Sequence, residues 1–172
     1  MRDAREAGSS ILSHTCSSIV RMFETLNGTE LKAVIAEAQR TERVAVARRV
    51  LAAGRLCRLM GPAGRDAATA RIAAELGISR GRAFAQMRCG QQLLDRLPAF
   101  AEVFAAGEVE LRVAAAAVFR TQSITDAEVL AFVDQKLARR APGWNPLSRE
   151  QVTELVEGHI AAAPTRAFAV GA

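Results

Sequence analysis

The sequence predicts an all-α fold of seven or eight helices. Apolar residues recur at intervals of three and four along most of the chain, whereas the strict alternation typical of strands is almost absent. Two capping boxes, at Thr125–Glu128 and Ser148–Gln151, mark further helix starts. With 172 residues, of which 50% are hydrophobic, the chain is long enough to bury one core.

The first two predicted helices are long. The first covers about residues 10–26. Thr29 is expected to cap the second, which runs over residues 31–60 with apolar positions at helical spacing and arginines between them. At about thirty residues it should be the spine of the fold. The Gly-Pro-Ala-Gly stretch at residues 61–64 predicts a loop that ends it.

Six shorter helices should complete the fold. They are expected at residues 67–76, 79–96, 100–106 and 110–120, followed by two that start at the capping boxes, the last ending near residue 163. Pro98 forces one of the boundaries, because it lacks a backbone donor and restricts the residue before it. Turn-forming residues at 139–146 predict an exposed loop, from which Trp144 should anchor on the core.

Residues 72–87 have the pattern of a helix-turn-helix. Gly77 stands where the chain must leave one helix with a positive φ, and Ser79 can accept hydrogen bonds from the first amides of the next. Apolar or small residues occupy the positions where two steeply crossing helices would meet. These positions are Ile72, Ala73, Leu76, Ile78, Ala83 and Met87.

Polar residues occupy the predicted outer face of the second hairpin helix, where phosphate oxygens and base edges could be bound. The candidate nucleic-acid-binding residues are Arg80, Arg82, Gln86 and Arg88. Two features depart from a typical hairpin of this kind. Ala83 is smaller than the usual branched core residue, and Gly81 costs the helix about 1 kcal/mol relative to alanine.

Positive charge is concentrated around this hairpin. The chain has a net charge of +5, but residues 40–96 contain twelve arginines and four carboxylates, a local net charge of +8. No carboxylate lies between Glu75 and Asp95. Such an uncompensated positive region is typical of a nucleic-acid-binding surface. The low aromatic content, 5% with no tyrosine, disfavours single-strand binding by base stacking and so favours duplex DNA.

The sequence offers no catalytic, metal-binding or cofactor-binding site, and we expect the chain not to be an enzyme. Its two histidines, His14 and His159, lie at opposite ends, and there is no Gly-rich phosphate loop. Cys16, Cys57 and Cys89 are widely spaced, which predicts buried free thiols.

No stretch has the roughly 20 consecutive apolar residues of a membrane-spanning helix. The N-terminus also lacks the apolar region of a signal peptide. A cytoplasmic protein is therefore expected, without a membrane partner.

Five short strings occur in an order and spacing that carry a family resemblance. They are the Arg-rich segment 43–52, the hairpin 72–87, and residues 93–98, 105–109 and 147–151. Together they resemble the actinobacterial domain of unknown function 222, found in the mycobacterial 13E12 repeat proteins. The resemblance covers roughly residues 29–163. Three parts are therefore expected: an N-terminal helix at 1–28, a helical domain at 29–163 that carries the resemblance and contains the hairpin at 67–96, and a truncated tail at 164–172.

In proteins of this type the domain usually precedes a C-terminal HNH nuclease module, which the resemblance associates with mobile elements and DNA cleavage. An HNH centre needs clustered histidine and asparagine or aspartate ligands around a divalent ion. Two distant histidines cannot supply them, so we expect the HNH module to be absent. A truncated or frameshifted copy, or one half of a split gene, is the expected explanation, and a separately encoded HNH nuclease would then be a partner.

Two functional hypotheses follow from these observations. The first is a non-catalytic helical module that binds duplex DNA and, in longer relatives, would deliver the nuclease to its target. The second is a protein-interaction or homo-oligomerisation scaffold, in which the hairpin is architectural and its arginines are merely solvated.

Overall fold

A computed structural model describes residues 21–164 of the chain. These residues are helical with short connections and contain no strand, so the all-α prediction is confirmed. They belong to two compact units, divided between Gln39 and Arg40. The second unit contains the hairpin, the core and most of the helices.

Six helices lie entirely within the described residues. They are α1 (Gly28–Leu76), α2 (Arg80–Arg96), α3 (Pro98–Ala105), α4 (Leu111–Thr121), α5 (Ala127–Arg140) and α6 (Arg149–Ala161), with a 3-10 turn at Ala141–Trp144 between the last two. Residues 21–25 are also helical and agree with the end of the predicted first helix. The start of that helix and the predicted tail lie outside the described residues.

The start of α1, in the first unit, differs from the prediction because its cap is Asn27 and not Thr29. The Asn27 side-chain oxygen accepts hydrogen bonds from the Thr29 and Glu30 amides at 2.9 and 3.1 Å. The Glu30 carboxylate in turn accepts from the Asn27 amide at 2.8 Å. This is a capping box built on asparagine, which caps helices at least as well as threonine.

The prediction of a loop at residues 61–64 is wrong, because only Gly61 departs from helical backbone there. Gly61 has φ 63° and ψ −174°, a conformation nearly confined to glycine, and α1 resumes at once. Pro62 disfavours helical backbone at Gly61, yet it fits the first turn of the new segment, where no amide donor is needed. The first helix of the hairpin therefore begins several residues earlier than predicted.

The main core lies among α2 to α6 and the part of α1 around Ala47 and Val50. Its largest fully buried side chains include Leu93, Leu97, Phe100, Phe104 and Leu137. A smaller cluster joins Met87 of α2 to Ala53, Cys57 and Ala68 of α1.

Trp144 anchors on the core as predicted. It is buried, and its ring stacks on His159 with the centroids 5.7 Å apart. The surrounding segment is only partly the exposed loop that was expected. Arg139 and Arg140 still belong to α5 and are exposed, whereas Ala141 is buried in the 3-10 turn.

The two predicted capping boxes have different outcomes. Ser148 and Gln151 form the expected reciprocal box at the start of α6. At α5 the cap is Asp126 instead of Thr125, and its carboxylate accepts from the Glu128 and Val129 amides. A carboxylate near a helix N-terminus also interacts favourably with the helix dipole, which explains why the aspartate takes the position.

Candidate nucleic-acid interface

The turn of the hairpin has the local structure that the sequence predicts. Gly77 has φ 60°, and the Ile78 amide donates to the Ala73 carbonyl at 3.0 Å, closing the end of α1. The Ser79 hydroxyl then accepts from the Arg82 amide at 3.3 Å and caps α2. The chain thus passes between two helices in three residues.

The predicted core of the hairpin is only partly sealed. Ala73, Ala83 and Met87 are buried, but Ile72, Leu76 and Ile78 are half-buried. A hairpin held by alanines has a thin core, because each alanine buries little apolar area. Its position must therefore depend on contacts that α2 makes further along.

Those contacts centre on two glycines, Gly54 of α1 and Gly90 of α2. A Cβ atom added to Gly90 would lie 2.0 Å from the Val50 carbonyl oxygen, and one added to Gly54 would lie 2.2 Å from the Gly90 carbonyl carbon. No side chain fits at either position. The backbones of α1 and α2 therefore touch where they cross, and this crossing fixes α2 against the rest of the fold.

The structure does not bring the four candidate residues to one surface. Arg80 and Arg82 are exposed, whereas Gln86 and Arg88 are half-buried. Positions four apart share a side of a helix, so Arg82 lies beside Gln86, while Arg80 and Arg88 share a side with Phe84 between them. Only in the first turn, where both sides are open, can Arg80 and Arg82 contact a common ligand.

Gln86 and Arg88 have surroundings that the sequence did not predict. The Gln86 side-chain oxygen is buried and accepts no hydrogen bond from the described residues. Arg88 lines a cleft together with Cys89, Gln92 and Phe119. Neither side chain is therefore fully exposed to solvent, as residues on the predicted outer face would be.

Ion pairing neutralises part of the local charge. Arg58 pairs with Asp95, the carboxylate that ends the acid-free stretch. Arg96 donates to the carbonyls of Thr121 and Ile124 at 3.0 and 2.6 Å, near the end of α4. Arg80 makes only a long contact, 3.5 Å, to the Asp66 carbonyl. The exposed Arg80 at the hairpin turn is therefore less engaged than Arg58 and Arg96.

Burial shifts the pKa values of two titratable groups, Cys89 and Asp134. Burial raises the pKa of the Cys89 thiol to about 12, which leaves it protonated and unreactive at neutral pH. Cys57 is also a buried free thiol, and the same prediction for Cys16 lies outside the described residues. Burial likewise raises the pKa of Asp134, although amide hydrogen bonds from Phe100 and Ala99 oppose the shift.

Asp134 is a structural residue that sequence reasoning missed. Its carboxylate accepts hydrogen bonds from the Ala99 and Phe100 amides, both at 2.9 Å, and so caps α3 from a different helix. The pattern of α5 placed this acid among apolar positions, which was the available clue. Gly54 and Gly90 were also missed, although a glycine inside a long helical pattern commonly marks a close approach of backbones.

Among residues 21–164, no three His, Cys, Asp or Glu side chains come together in a way that could hold a metal ion. No helix in this part of the chain is both long and apolar enough to cross a membrane.

The fold and this geometry define a class, an all-α protein with a helical hairpin closed by a glycine turn. The chain belongs to the family described as domain of unknown function DUF222, whose model matches residues 25–164. The resemblance found in the sequence is thereby confirmed. No solved structure matches the chain.

The relatives are mycobacterial and much longer. The chain is 34% identical to the uncharacterized protein Rv2100 of Mycobacterium tuberculosis over 169 residues, which is 87% of this chain and 30% of the relative. It is 35% identical to the uncharacterized protein Rv3776 of the same organism over 97 residues, 56% of this chain and 18% of the relative. The chain thus spans less than a third of the length of these relatives.

Proposed function

We propose that the chain is a non-catalytic DNA-binding module in which the first turn of α2 approaches duplex DNA. The observation that carries this proposal is the pair Arg80 and Arg82, both exposed at the start of a helix that follows a tight glycine turn. No acidic residue occupies that first turn. The proposed role belongs to this domain alone, and the longer relatives would place other activities elsewhere.

The expected mode of contact follows from the exposed N-terminal turn of α2. A helix N-terminus has partial positive charge and free amide donors, both of which favour phosphate. Two arginines on opposite sides of the first turn add charge and can form bidentate hydrogen bonds with phosphate or guanine. We therefore expect α2 to enter the major groove end-on, as recognition helices commonly do. Gln86, one turn further along, has a buried side-chain oxygen, so we expect the base contacts to come from the first turn alone.

A matched pair of variants tests the proposal. Arg80→Ala/Arg82→Ala removes two exposed charges at the hairpin, and Arg139→Ala/Arg140→Ala removes two exposed charges at the end of α5. Binding to a mixed-sequence duplex is measured by fluorescence anisotropy at about 50 and 200 mM salt. We expect the hairpin variant to lose about 1 to 3 kcal/mol if one arginine is bidentate to guanine, and its salt dependence to weaken.

The controls decide between a specific surface and general charge. Melting temperatures should match the wild type for both variants, because the replaced side chains are exposed. Equal loss in the two variants would show that only net charge matters. Wild-type affinity in the hairpin variant, or no binding by the wild type at low salt, would reject the proposal.

The proposal leaves catalysis to another polypeptide or to another part of the longer relatives. We propose a nuclease of the HNH type as that partner, and association with mobile elements as the context. The compartment proposed for a DNA-binding protein of this kind is the cytoplasm. Purified chain incubated with plasmid and Mg²⁺ or Mn²⁺ should leave the plasmid intact, and cleavage that persists after repurification but is lost in His159→Ala would contradict the non-catalytic assignment.

A further inference from the structure

A second surface, on α4, has a character quite different from that of the hairpin. Ala115 and Phe119 form a ridge along α4, with a cleft on each side. We call these residues and the two clefts the α4 ridge. Phe119 is 61% exposed, more than any other aromatic side chain in residues 21–164. A single exposed ring is common on protein surfaces, but a ring that joins two clefts with apolar walls forms a contiguous surface of the kind that binds proteins.

The two clefts differ in size but agree in chemistry. The larger, about 430 Å³, lies between α4 and α6 and is lined by Arg112, Ala116, Arg149 and Val152 in addition to the ridge. The smaller, about 230 Å³, lies between α2 and α4 and includes Arg88, Val118 and Gln122. Each cleft thus combines apolar walls with arginine, and no carboxylate of the described residues lines either of them.

The arginines of the α4 ridge differ in how far they are already engaged. Arg112 is held by the Glu110 carboxylate at 2.9 Å and by the Leu147 carbonyl at 2.6 Å. Arg88 and Arg149 are in none of the ion pairs that join Arg58 to Asp95, Arg112 to Glu110, and Arg120 to Glu157. Next to Arg149, the Glu150 carboxylate accepts from the Ser148 hydroxyl at the helix cap. Arg88 thus has no ion-pair partner among residues 21–164, and Arg149 has only an electrostatic interaction with the adjacent Glu150 carboxylate. Each side of the ridge therefore has an arginine that can pair with a carboxylate of a partner.

We propose that the α4 ridge binds an acidic amphipathic helical segment of a partner protein. Apolar side chains of that segment would fill the clefts beside Phe119, and its carboxylates would pair with Arg88 and Arg149. Charge complementarity selects this occupant: a second copy of the chain would bring a net charge of +5 against a cationic rim. Partner binding at the α4 ridge does not depend on DNA binding, and it gives Arg88 a contact with protein instead of DNA.

A peptide selection with a matched aromatic control tests this inference. The whole chain is used to select from a display library of random 16-residue peptides, and the selected sequences are synthesised and measured by fluorescence anisotropy. We expect them to be acidic, with large apolar residues at helical spacing. Phe119→Ser should weaken binding at least about tenfold, as expected for an aromatic hot spot. Phe84→Ser, which removes a ring that is 41% exposed on α2 and lines neither cleft, should leave binding unchanged.

The electrostatic half of the inference has its own variants. Arg88→Glu and Arg149→Glu should each weaken the selected peptides, with smaller effects at high salt. Peptides without acidic enrichment, no selected peptides, or binding insensitive to Phe119→Ser would overturn the proposal. Two further results would also overturn it. Self-association that is abolished by Phe119→Ser would assign the α4 ridge to a second copy of the chain. A loss of duplex binding in Arg88→Ala equal to that in the Arg80/Arg82 double variant would assign Arg88 to DNA.

Discussion

The two halves of α2 differ in how strongly the fold constrains them. The half after Met87 crosses α1 at Gly90, where the helices touch backbone to backbone, and continues into the core at Leu93. The half before Met87 follows the Gly77 turn and exposes its first turn to solvent. It contains a second glycine, Gly81, at which an added Cβ atom would meet nothing within 4 Å.

The contrast between the two glycines separates structure from function along a single helix. Gly90 is there because no side chain fits, so the position reports on packing. Gly81 weakens an exposed helix with no packing reason. The C-terminal half thus anchors α2. The exposed first turn, at residues 80–82, is free to contact a ligand, whereas Ala83 just after it is buried. Substitutions can break this division, most severely at the anchor.

The largest effect is expected from Gly90→Ala. The new methyl group would lie 2.0 Å from the Val50 carbonyl oxygen, and backbone atoms cannot move aside as a flexible side chain can. The helices must separate, and the loss should reach about 3 kcal/mol or more, at the upper end for overpacking. Urea unfolding followed by circular dichroism measures it. A variant as stable as the wild type would mean that the two helices cross without backbone contact.

A smaller loss is expected from Asp134→Asn, which tests the buried polar contact beside the same core. An amide has one acceptor oxygen, so the Ala99 or Phe100 amide would face an NH₂ group, and stability should fall by about 1 to 3 kcal/mol. Asp126→Asn, at the exposed cap of the same helix, is the control and should change stability by a few tenths of a kcal/mol, because both residues cap well.

The effect of Asp134→Asn on stability should also depend on pH, with a definite sign. Because burial raises the pKa of Asp134 in the folded state, its stabilising effect is complete below the unfolded pKa and is lost as the pH rises through the folded value. Asparagine does not titrate. The difference in unfolding free energy between wild type and variant should therefore be larger near pH 4 than near pH 7, and a difference that grows with pH would contradict the direction of the shift.

The smallest effect is expected from Gly81→Ala, and it is a gain. With open space around the new methyl group, the variant should be more stable by about 0.5 to 1 kcal/mol, because the unfolded chain loses freedom. Thermal unfolding measures the change. Duplex binding should persist if Arg80 and Arg82 carry it. A destabilised Gly81→Ala protein would show that the first turn of α2 is packed, and the contrast between Gly81 and Gly90 would be lost.

Local patterns predicted what local backbone chemistry controls. Gly77 and Ser79 have the roles that their residue types require, as do Ser148 and Gln151, because turns and caps depend on neighbours in the sequence. Prediction went wrong where two local preferences competed. Gly61 and Pro62 form turns in many contexts, but here the proline starts a new helical segment after a single glycine break.

The placement of the candidate site depended on tertiary contacts that no periodicity contains. The sequence predicts Arg80, Arg82, Gln86 and Arg88 on the outer face of a single helix. Arg88 nevertheless lines a cleft, because α4 lies against that side of α2. Asp134 shows the same limit, since its amide partners lie about 35 residues away in sequence. The sequence identifies these residues as candidates, but it does not show which side chains and backbone groups surround them in the fold.

The cap that Asp134 gives to α3 has a consequence for the order of folding. An isolated helix of eight residues is far below the length that is stable in water, and Leu97 at the N-cap has no side-chain acceptor that could cap α3. Its first amides gain their acceptor only once α5 has docked. The two helices should therefore form in one cooperative step, and hydrogen exchange at the Ala99 and Phe100 amides would report the docking of α5 rather than fraying of α3.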